Sequence, residues 1–214
     1  MRARIQIDVR RAATSVAVAV RERRYKSVLV ASPSRGEGTT TISLSLAVQL
    51  RESFDLRPLV IEMNRRRPAF ARLFGIDAKI GLTSIAAGES SVSKAIQPGP
   101  RGISLIPVGP RVRRGEPLPD LTRSLCRVLQ ETEENFDAIL VDAPPILEDP
   151  DVVAWAAVVP RLLLVVKAGR TRFEVVERVR RELEDAVNGF SVVGAILNQQ
   201  PRFIPGWLYR PLFR

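Results

Sequence analysis

A glycine-rich stretch early in the chain has residue types suited to binding phosphate. It reads Ser32-Pro-Ser-Arg-Gly-Glu-Gly-Thr-Thr-Thr41, between an apolar run typical of a buried strand and a segment with helical spacing. The backbone N–H groups of such a turn, and the N-terminus of the following helix, favour an anion. In the pattern G-x-x-x-x-G-K-[ST], Gly38 takes the second glycine and Thr40 the Mg²⁺-ligating hydroxyl. Pro33 and Thr39 replace the first glycine and the lysine, so the stretch alone also fits an ordinary strand-to-helix turn.

An acidic residue later in the chain could act together with this turn. Residues 137–142 form an apolar run that ends in Asp142 and is followed by Ala-Pro-Pro. A carboxylate at the end of such a strand orients Mg²⁺ beside a phosphate-binding loop. Apolar strands ending in aspartate are common, so the order of the two features gives the pair its weight. Together they predict a nucleotide site in which Thr40 and Asp142 hold the metal.

Composition excludes several other kinds of site. The 214 residues include no histidine and one cysteine, Cys126, which excludes His-containing zinc sites, His-base triads and an internal disulfide framework. We expect Cys126 to be an inert core residue on a helix, and Trp155 to lie in the core. No apolar run approaches the ~20 residues that span a bilayer, and no signal-peptide pattern is seen, so we expect a soluble, intracellular protein.

The net charge of +10 is concentrated at the two ends of the chain. Residues 1–30 hold eight basic and two acidic side chains, and residues 201–214 hold three basic and no acidic ones. Basic ends of this kind suit anionic lipid, nucleic acid or an acidic partner. The residues between them are almost neutral.

Six short apolar runs alternate with helical segments, which predicts parallel βαβ units. The fold class is therefore α/β, with a doubly wound, mostly parallel sheet flanked by helices. The predicted strands cover 27–31, 58–63, 103–108, 137–142, 162–167 and 191–198. The predicted helices cover 8–24, 42–50, 119–134 and 173–187, with short helices within 69–96.

Several stretches, in order, resemble the motifs of the bacterial tyrosine kinases. Residues 31–41 are similar to that family's Walker A, T-S-x-x-P-G-E-G-K-S/T-T, and residues 61–68 to its second motif, I-D-x-D-x-R-x-P. Further similar stretches are 81–89, 106–109 with 119–121, 136–145, 166–171 and 194–198. The resemblance covers about residues 25–200 and implies a deviant-Walker P-loop NTPase of the Min/Par type. It also implies a role in exopolysaccharide or capsule synthesis, beside a membrane chain-length regulator (a co-polymerase).

The resemblance divides the chain and assigns its site. It implies a P-loop kinase-like domain (27–200), and the charge and composition of the ends add a basic N-terminal helix or arm (1–26) and an aromatic, basic tail (201–214). Catalysis falls to Asp142 and, with its longer side chain, Glu62, while Mg²⁺ falls to Thr40 and Asp142. The phosphorylation candidate is Tyr209. The residues implied in ATP binding are Gly36, Glu37, Gly38, Thr39, Thr40, Thr41 and Asn198.

The departures from the family fall on its chemistry. Thr39 offers a neutral hydrogen bond where the family has lysine, and a charge-assisted bond contributes roughly 1.5–3 kcal/mol, or about 10- to 150-fold in affinity. In the second motif the family has two aspartates, whereas this chain has Glu62 and Asn64. We therefore expect the fold to persist while ATP and Mg²⁺ binding and kinase chemistry are weakened or lost.

Two other functions stay open. An active kinase could use Arg35, or an arginine of a neighbouring subunit in a homo-oligomer, in place of the lysine. A Par-type ATPase could bind DNA or membrane through its basic ends, although the family stretches favour polysaccharide work over nucleic acid. Arg65–Arg67 could contact a phosphate or a neighbouring subunit, or form a solvated loop.

We expect the protein at the inner face of the cell membrane, as a cytoplasmic, peripheral protein on an anionic surface. The apolar side chains of the tail, which follow prolines and arginines, either fold back on the sheet edge or form an interfacial or partner-docking segment. We favour the second reading. These side chains are Phe203, Trp207, Leu208, Tyr209, Leu212 and Phe213.

Overall fold

The computed structural model describes residues 2–110 and 120–199, with side chains from Val9 onward. The strands in this part of the chain are β1 (Ser27–Ala31), β2 (Pro58–Glu62), β3 (Gln97–Pro98), β4 (Ser104–Ile106), β5 (Ala138–Asp142), β6 (Arg161–Lys167) and β7 (Ser191–Asn198). The helices are α1 (Arg2–Arg21), α2 (Thr39–Phe54), α3 (Phe70–Phe74), α4 (Leu82–Ala86), α5 (Val92–Ala95), α6 (Leu121–Thr132), α7 (Asp151–Val158) and α8 (Phe173–Ala186). Short 3₁₀ turns occupy Pro100–Gly102 and Ile146–Glu148.

The strands form one sheet in the order β3-β4-β2-β5-β1-β6-β7. Every pair is parallel except the one between β3 and β4, which confirms the predicted doubly wound α/β fold. Strand β1 lies between β5 and β6: from β1 the chain continues to β2 on one side, and only after β5 does it cross to β6 on the other. Ligands of such sheets bind outside the carboxyl ends of the strands at this switch point. The register pairs Val30 and Glu62 with the same residue, Asp142, and so brings three strand ends together.

Apolar side chains cover both faces of the sheet. One core cluster lies beneath α4–α8 and includes Trp155, as expected, and the other lies beneath α1 and α2. Helix α1 is part of this second core, because one of its faces is buried against α2 and β7. The buried side chains of that face are Val9, Ala13, Val16, Ala17 and Val20. The basic N-terminal helix is therefore packed on the α/β body.

Four details differ from the sequence expectations. Helix α1 begins at Arg2 rather than at residue 8 and ends at Arg21, where Arg23 turns the chain with a positive φ of 55°. Strand β3 has only two residues, too few for an alternating pattern to be read. Helix α7 was not expected either, because its run of Val and Ala residues has no polar face to give a helical period. Cys126 is half-buried on α6 and not in the core, so that prediction was wrong.

Candidate nucleotide-binding site

A cavity of about 180 Å³ opens at the carboxyl ends of β1 and β5. The N-terminus of α2 faces it, and the first N–H groups of a helix have no partner within the helix, so this end favours an anion. The glycine turn, the loop after β2 and the loop after β5 close its sides. Its lining residues are Ser32, Arg35, Gly36, Gly38, Thr39, Thr40, Thr41, Asn64, Arg66, Arg67, Ala143, Pro144, Pro145, Glu148 and Asp149.

Gly38 cannot be replaced without strain in this turn. Its φ of +92° lies in the left-handed region, and a Cβ added there would collide with the side-chain amide nitrogen of Asn198. That nitrogen donates a 2.7 Å hydrogen bond to the backbone oxygen of Glu37. Asn198, at the end of β7, is therefore buried against the turn and holds its backbone.

Glu37 is buried, and its carboxylate also holds the turn in place. One oxygen accepts a hydrogen bond from the Ser34 N–H (3.1 Å) and the other from the Lys167 N–H at the end of β6 (3.0 Å). Since both oxygens are used by backbone groups, Glu37 shapes the loop and does not face the cavity. The predicted loop residues are thus brought together, with Asn198, around one cradle.

Thr39 faces a neutral partner. Its hydroxyl donates to the Ser32 hydroxyl at 2.9 Å, and Ser32 in turn donates to the backbone oxygen of Ser34. The side chain that stands in the family's lysine position therefore adds no positive charge to the cavity. Thr41, two residues after Thr39 in α2, is exposed and also lines the cavity.

Asp142 is a buried acid that contacts Thr40, one of the residues that line the cavity. Its two carboxylate oxygens accept hydrogen bonds from the Thr40 hydroxyl (2.7 Å) and the Ser43 hydroxyl (3.0 Å). Burial raises the pKa of Asp142 to about 7, an effect that the two hydroxyls oppose and the nearby Glu62 carboxylate reinforces. Sequence reasoning did not include Ser43, although its position three residues after Thr40 on a helix puts both on one face.

These two groups fit a Mg²⁺ site of the P-loop kind. Magnesium is held in such sites by one or two protein oxygens, with phosphate and water completing its shell. The Thr40 hydroxyl and the Asp142 carboxylate are adjacent and lie at the helix N-terminus, where phosphate would bind. Among the described residues there is no cluster of three or more His, Cys, Asp or Glu side chains that could hold a metal without a nucleotide.

Glu62 is buried beside Asp142, yet it is turned toward backbone groups. One carboxylate oxygen accepts hydrogen bonds from the N–H groups of Ala69 and Phe70, at the start of α3, and the other from Val108 N–H at 3.2 Å. Burial raises its pKa, and the three N–H donors oppose the rise. Glu62 therefore supports the loops after β2 and β4; its predicted catalytic role stays a prediction.

The loop after β2 presents one side of the cavity. The Asn64 side-chain oxygen accepts a hydrogen bond from Arg67 N–H at 3.0 Å, which fixes a turn. Arg65 leaves the cavity to pair with Asp151 on α7, while the exposed Arg66 and Arg67 line it. Of the three arginines that the sequence left undecided, two therefore face the site.

Two further charged groups complete the wall opposite. Arg35 forms an ion pair with Glu148, so its charge is already partnered. Asp149 is buried, lines the cavity and accepts a 3.2 Å hydrogen bond from Asp151 N–H. Nothing in the sequence pattern singled out Asp149, because it follows the Walker B-like strand by seven residues in an irregular loop. Tyr209 and the other tail residues lie outside the described residues.

Comparison with known proteins finds similarity to tyrosine kinases of bacteria. It is 29% identical over 196 residues to the tyrosine-protein kinase etk of Escherichia coli K12, and 26% identical over 186 residues to the tyrosine-protein kinase YwqD of Bacillus subtilis. The solved VpsO kinase domain superposes with a TM-score of 0.76 at 28% identity, covering 91% of this chain and 94% of that one. The homologues of this chain are therefore bacterial tyrosine kinases. No protein-family model matches the chain.

The extent of these matches differs between relatives. The alignment covers 89% of this chain but only 26% of etk, so the chain spans about a quarter of that protein; with YwqD it covers 86% of this chain and 77% of the relative. The fold is also that of the septum site-determining protein MinD of Pyrococcus horikoshii, solved with Mg-ADP, at a TM-score of 0.67, 22% identity and coverage of 87% and 76%. In the part of the chain that the structure describes, no helix has the length and apolarity to cross a membrane.

Proposed function

We propose that this protein is a tyrosine-kinase-like P-loop protein that binds ATP with Mg²⁺ and acts by binding rather than by efficient phosphoryl transfer. Its setting would be exopolysaccharide or capsule synthesis, with a membrane chain-length regulator as its partner. The proposal is supported by the kinase homologues and by the cleft, in which Thr40 and Asp142 are in contact while Thr39 and Asn64 replace charged residues of the family.

The observation that carries the proposal is the contrast between Asp142 and the residues around it. Asp142 is hydrogen-bonded to Thr40 and Ser43, an arrangement suited to Mg²⁺. Phosphoryl transfer also needs positively charged groups beside the β- and γ-phosphates, and a correctly placed acid or base. Thr39 supplies no charge, and Asn64 no acid.

Each part of the cleft then has a role in binding. The α2 N-terminus and the glycine turn would receive the phosphates through backbone N–H groups. Thr40 and Asp142 would hold Mg²⁺, which when bound neutralises phosphate charge. Asn198 and Glu37 keep the turn in the geometry that this requires.

Titration of the purified protein with ATP in the presence of Mg²⁺ tests the binding step. We expect measurable affinity that falls when Thr40→Ala removes the hydroxyl, and that is unchanged in Ser90→Ala, a matched hydroxyl variant outside the cleft. Absence of any ATP binding would refute the nucleotide part of the proposal. ATP turnover or Tyr209 phosphorylation at rates typical of kinases would instead establish the active-kinase alternative.

The membrane part of the proposal rests on the basic N-terminal helix. Arg10, Arg11 and Arg23 are exposed on or just after α1, and each basic residue near an anionic leaflet contributes about 1 kcal/mol. Deleting the helix would remove part of the hydrophobic core, so the test changes only the charge of the helix. We expect the variant Arg10→Gln/Arg11→Gln to co-sediment less than wild type with vesicles containing phosphatidylserine, and neither protein to sediment with neutral vesicles. Equal sedimentation of both proteins would contradict this placement, and salt-dependent DNA binding would favour the Par-type alternative.

A further inference from the structure

Residue 39 contributes no cation to the cleft, yet two guanidinium groups are among its lining residues. Arg66 and Arg67 line the cavity together with the glycine turn, and both side chains are exposed. Phosphate groups bind arginine strongly, because its planar fork donates two parallel hydrogen bonds. Arg66 also takes the arginine position of the second motif, I-D-x-D-x-R-x-P, whereas Arg67 has no counterpart there.

Two other arginines near the cavity are already paired. Arg35 forms an ion pair with Glu148. Arg65, which precedes Arg66 in the loop after β2, forms one with Asp151. Arg66 and Arg67 have no ion-pair partner among the described residues. Their charge is therefore available to an anion in the cleft as far as the described part of the chain shows.

The backbone that carries these two side chains is fixed at several points. Before them, Arg65 N–H donates to the Met63 backbone oxygen (3.0 Å), and Arg67 N–H donates to the Asn64 side chain (3.0 Å). After them, the Glu62 carboxylate holds the start of α3. A loop held in this way needs little ordering of its backbone on binding, so that mainly the side chains of Arg66 and Arg67 have to be ordered.

Asn64 also matters for the electrostatics of this side of the cavity. A carboxylate at this place, beside Arg66 and Arg67, would compete with phosphate for their charge. The neutral amide keeps the turn without that competition. Both of the uncharged substitutions in the cleft, at 39 and at 64, are thus compatible with one altered arrangement of positive charge.

We infer that Arg66 and Arg67 supply to the phosphates of a bound nucleotide the positive charge that Thr39 does not. The inference rests on nucleotide binding as proposed above. The positive charge enters from the loop after β2 instead of from the N-terminus of α2.

The test is calorimetric titration with Mg·ATP, and with inorganic triphosphate as a probe that lacks the base. Arg66→Ala/Arg67→Ala should lower the affinity for both ligands by about 10-fold or more, the size of a lost charge-assisted hydrogen bond. The matched control is Arg72→Ala, an exposed arginine of the same region that lines a neighbouring cavity of about 620 Å³ but not the nucleotide cleft. It should change the affinity by less than about twofold, because exposed charges at a distance are screened.

A second background makes the test independent of one variant's folding. In Thr39→Lys, which restores a cation to the α2 side, removing Arg66 and Arg67 should cost less than it does in the wild type. Equal affinities of the wild type and the double variant would overturn the inference while leaving the proposed function intact. An equal loss of affinity in Arg72→Ala would also overturn the inference, since any positive charge near the cleft would then have the same electrostatic effect. If the wild type binds no nucleotide, the proposed function fails and the inference with it.

Discussion

Two carboxylates end adjacent strands of the sheet, and their surroundings differ. Asp142 on β5 and Glu62 on β2 are paired in register, both are buried, and burial raises the pKa of each. Asp142 meets two hydroxyls, whereas Glu62 meets three backbone N–H groups. Hydroxyls can donate or accept, so Asp142 can change its protonation state or bind a metal without leaving a partner unsatisfied. Backbone N–H groups only donate, so the Glu62 carboxylate supports the loops that carry them, and its catalytic role stays a prediction.

The largest expected effect breaks the Asp142 side of this comparison. The Asp142 pKa of about 7 in the folded protein lies above its ordinary value of 3.8, so the native state retains a proton that the unfolded chain has released. Stability therefore falls as pH rises from about 4 to 7, and the loss is complete above the folded pKa. Asp142→Asn removes this cost, and at pH 8 without Mg²⁺ it should stabilise the protein by about 2–4 kcal/mol, at 1.36 kcal/mol for each pKa unit.

Urea unfolding of both proteins at pH 5 and pH 8 measures this effect. The advantage of the Asn variant should be clearly larger at pH 8, and added Mg·ATP should stabilise only the wild type. Parallel pH profiles for the two proteins would show that Asp142 is not the titrating group. Because the Glu62 carboxylate also raises the Asp142 pKa, the difference between the two proteins measures the titration of the coupled pair.

A second effect concerns the glycine turn that precedes Thr40, the partner of Asp142. Gly38→Ala should destabilise the protein by about 3 kcal/mol, since left-handed strain adds to a collision with the buried Asn198 amide. The matched control is Gly36→Ala, which has a φ of +76° but whose Cβ would lie 3.5 Å from the nearest atom, on Arg170. It should cost only about 1 kcal/mol. Thermal unfolding of the two variants measures the difference, and similar losses would mean that Asn198 does not press on the turn.

A third effect sharpens the Glu62 side. Glu62→Asp gives this position the family's own acid, but the shorter side chain cannot reach all three N–H groups. The unpaired donors should cost about 2 kcal/mol of stability, with no gain in ATP turnover. Urea unfolding and a turnover assay on the same sample test both halves. Unchanged stability, or increased turnover, would return Glu62 to a catalytic role.

The sequence was sufficient for the sheet and for one half of the site. Short apolar runs located six of the strands because buried parallel strands are apolar on both faces. The pairing of Thr40 with Asp142 follows from their motifs and the sheet topology, and the structure places them in contact. Their role in binding nucleotide stays a prediction.

The other half depends on contacts between distant segments that no local pattern encodes. Glu62 is held by residues at the start of α3 and after β4, and Asp149 enters the cleft from an irregular loop. The partners of Arg35 and Arg65 likewise come from residues about a hundred positions away. Such contacts decide which acids and cations face the ligand, so the chemistry of this side could not be predicted from residue types.

The smallest expected effect compares a second substituted acid position with Glu62. Asn64→Asp keeps an oxygen acceptor for Arg67 N–H, and the side chain is half-buried, so stability should change by less than about 0.5 kcal/mol. The new carboxylate stands beside Arg66 and Arg67 and should weaken Mg·ATP binding while leaving the fold intact. Glu62→Asp should do the reverse, lowering stability without entering the cleft. Calorimetric titration and urea unfolding of both variants therefore separate the two substitutions. Because Asn and Asp have the same length, a loss of stability in Asn64→Asp equal to that in Glu62→Asp would show that the neutral amide at residue 64 is needed for the structure of this loop and not only for ligand binding.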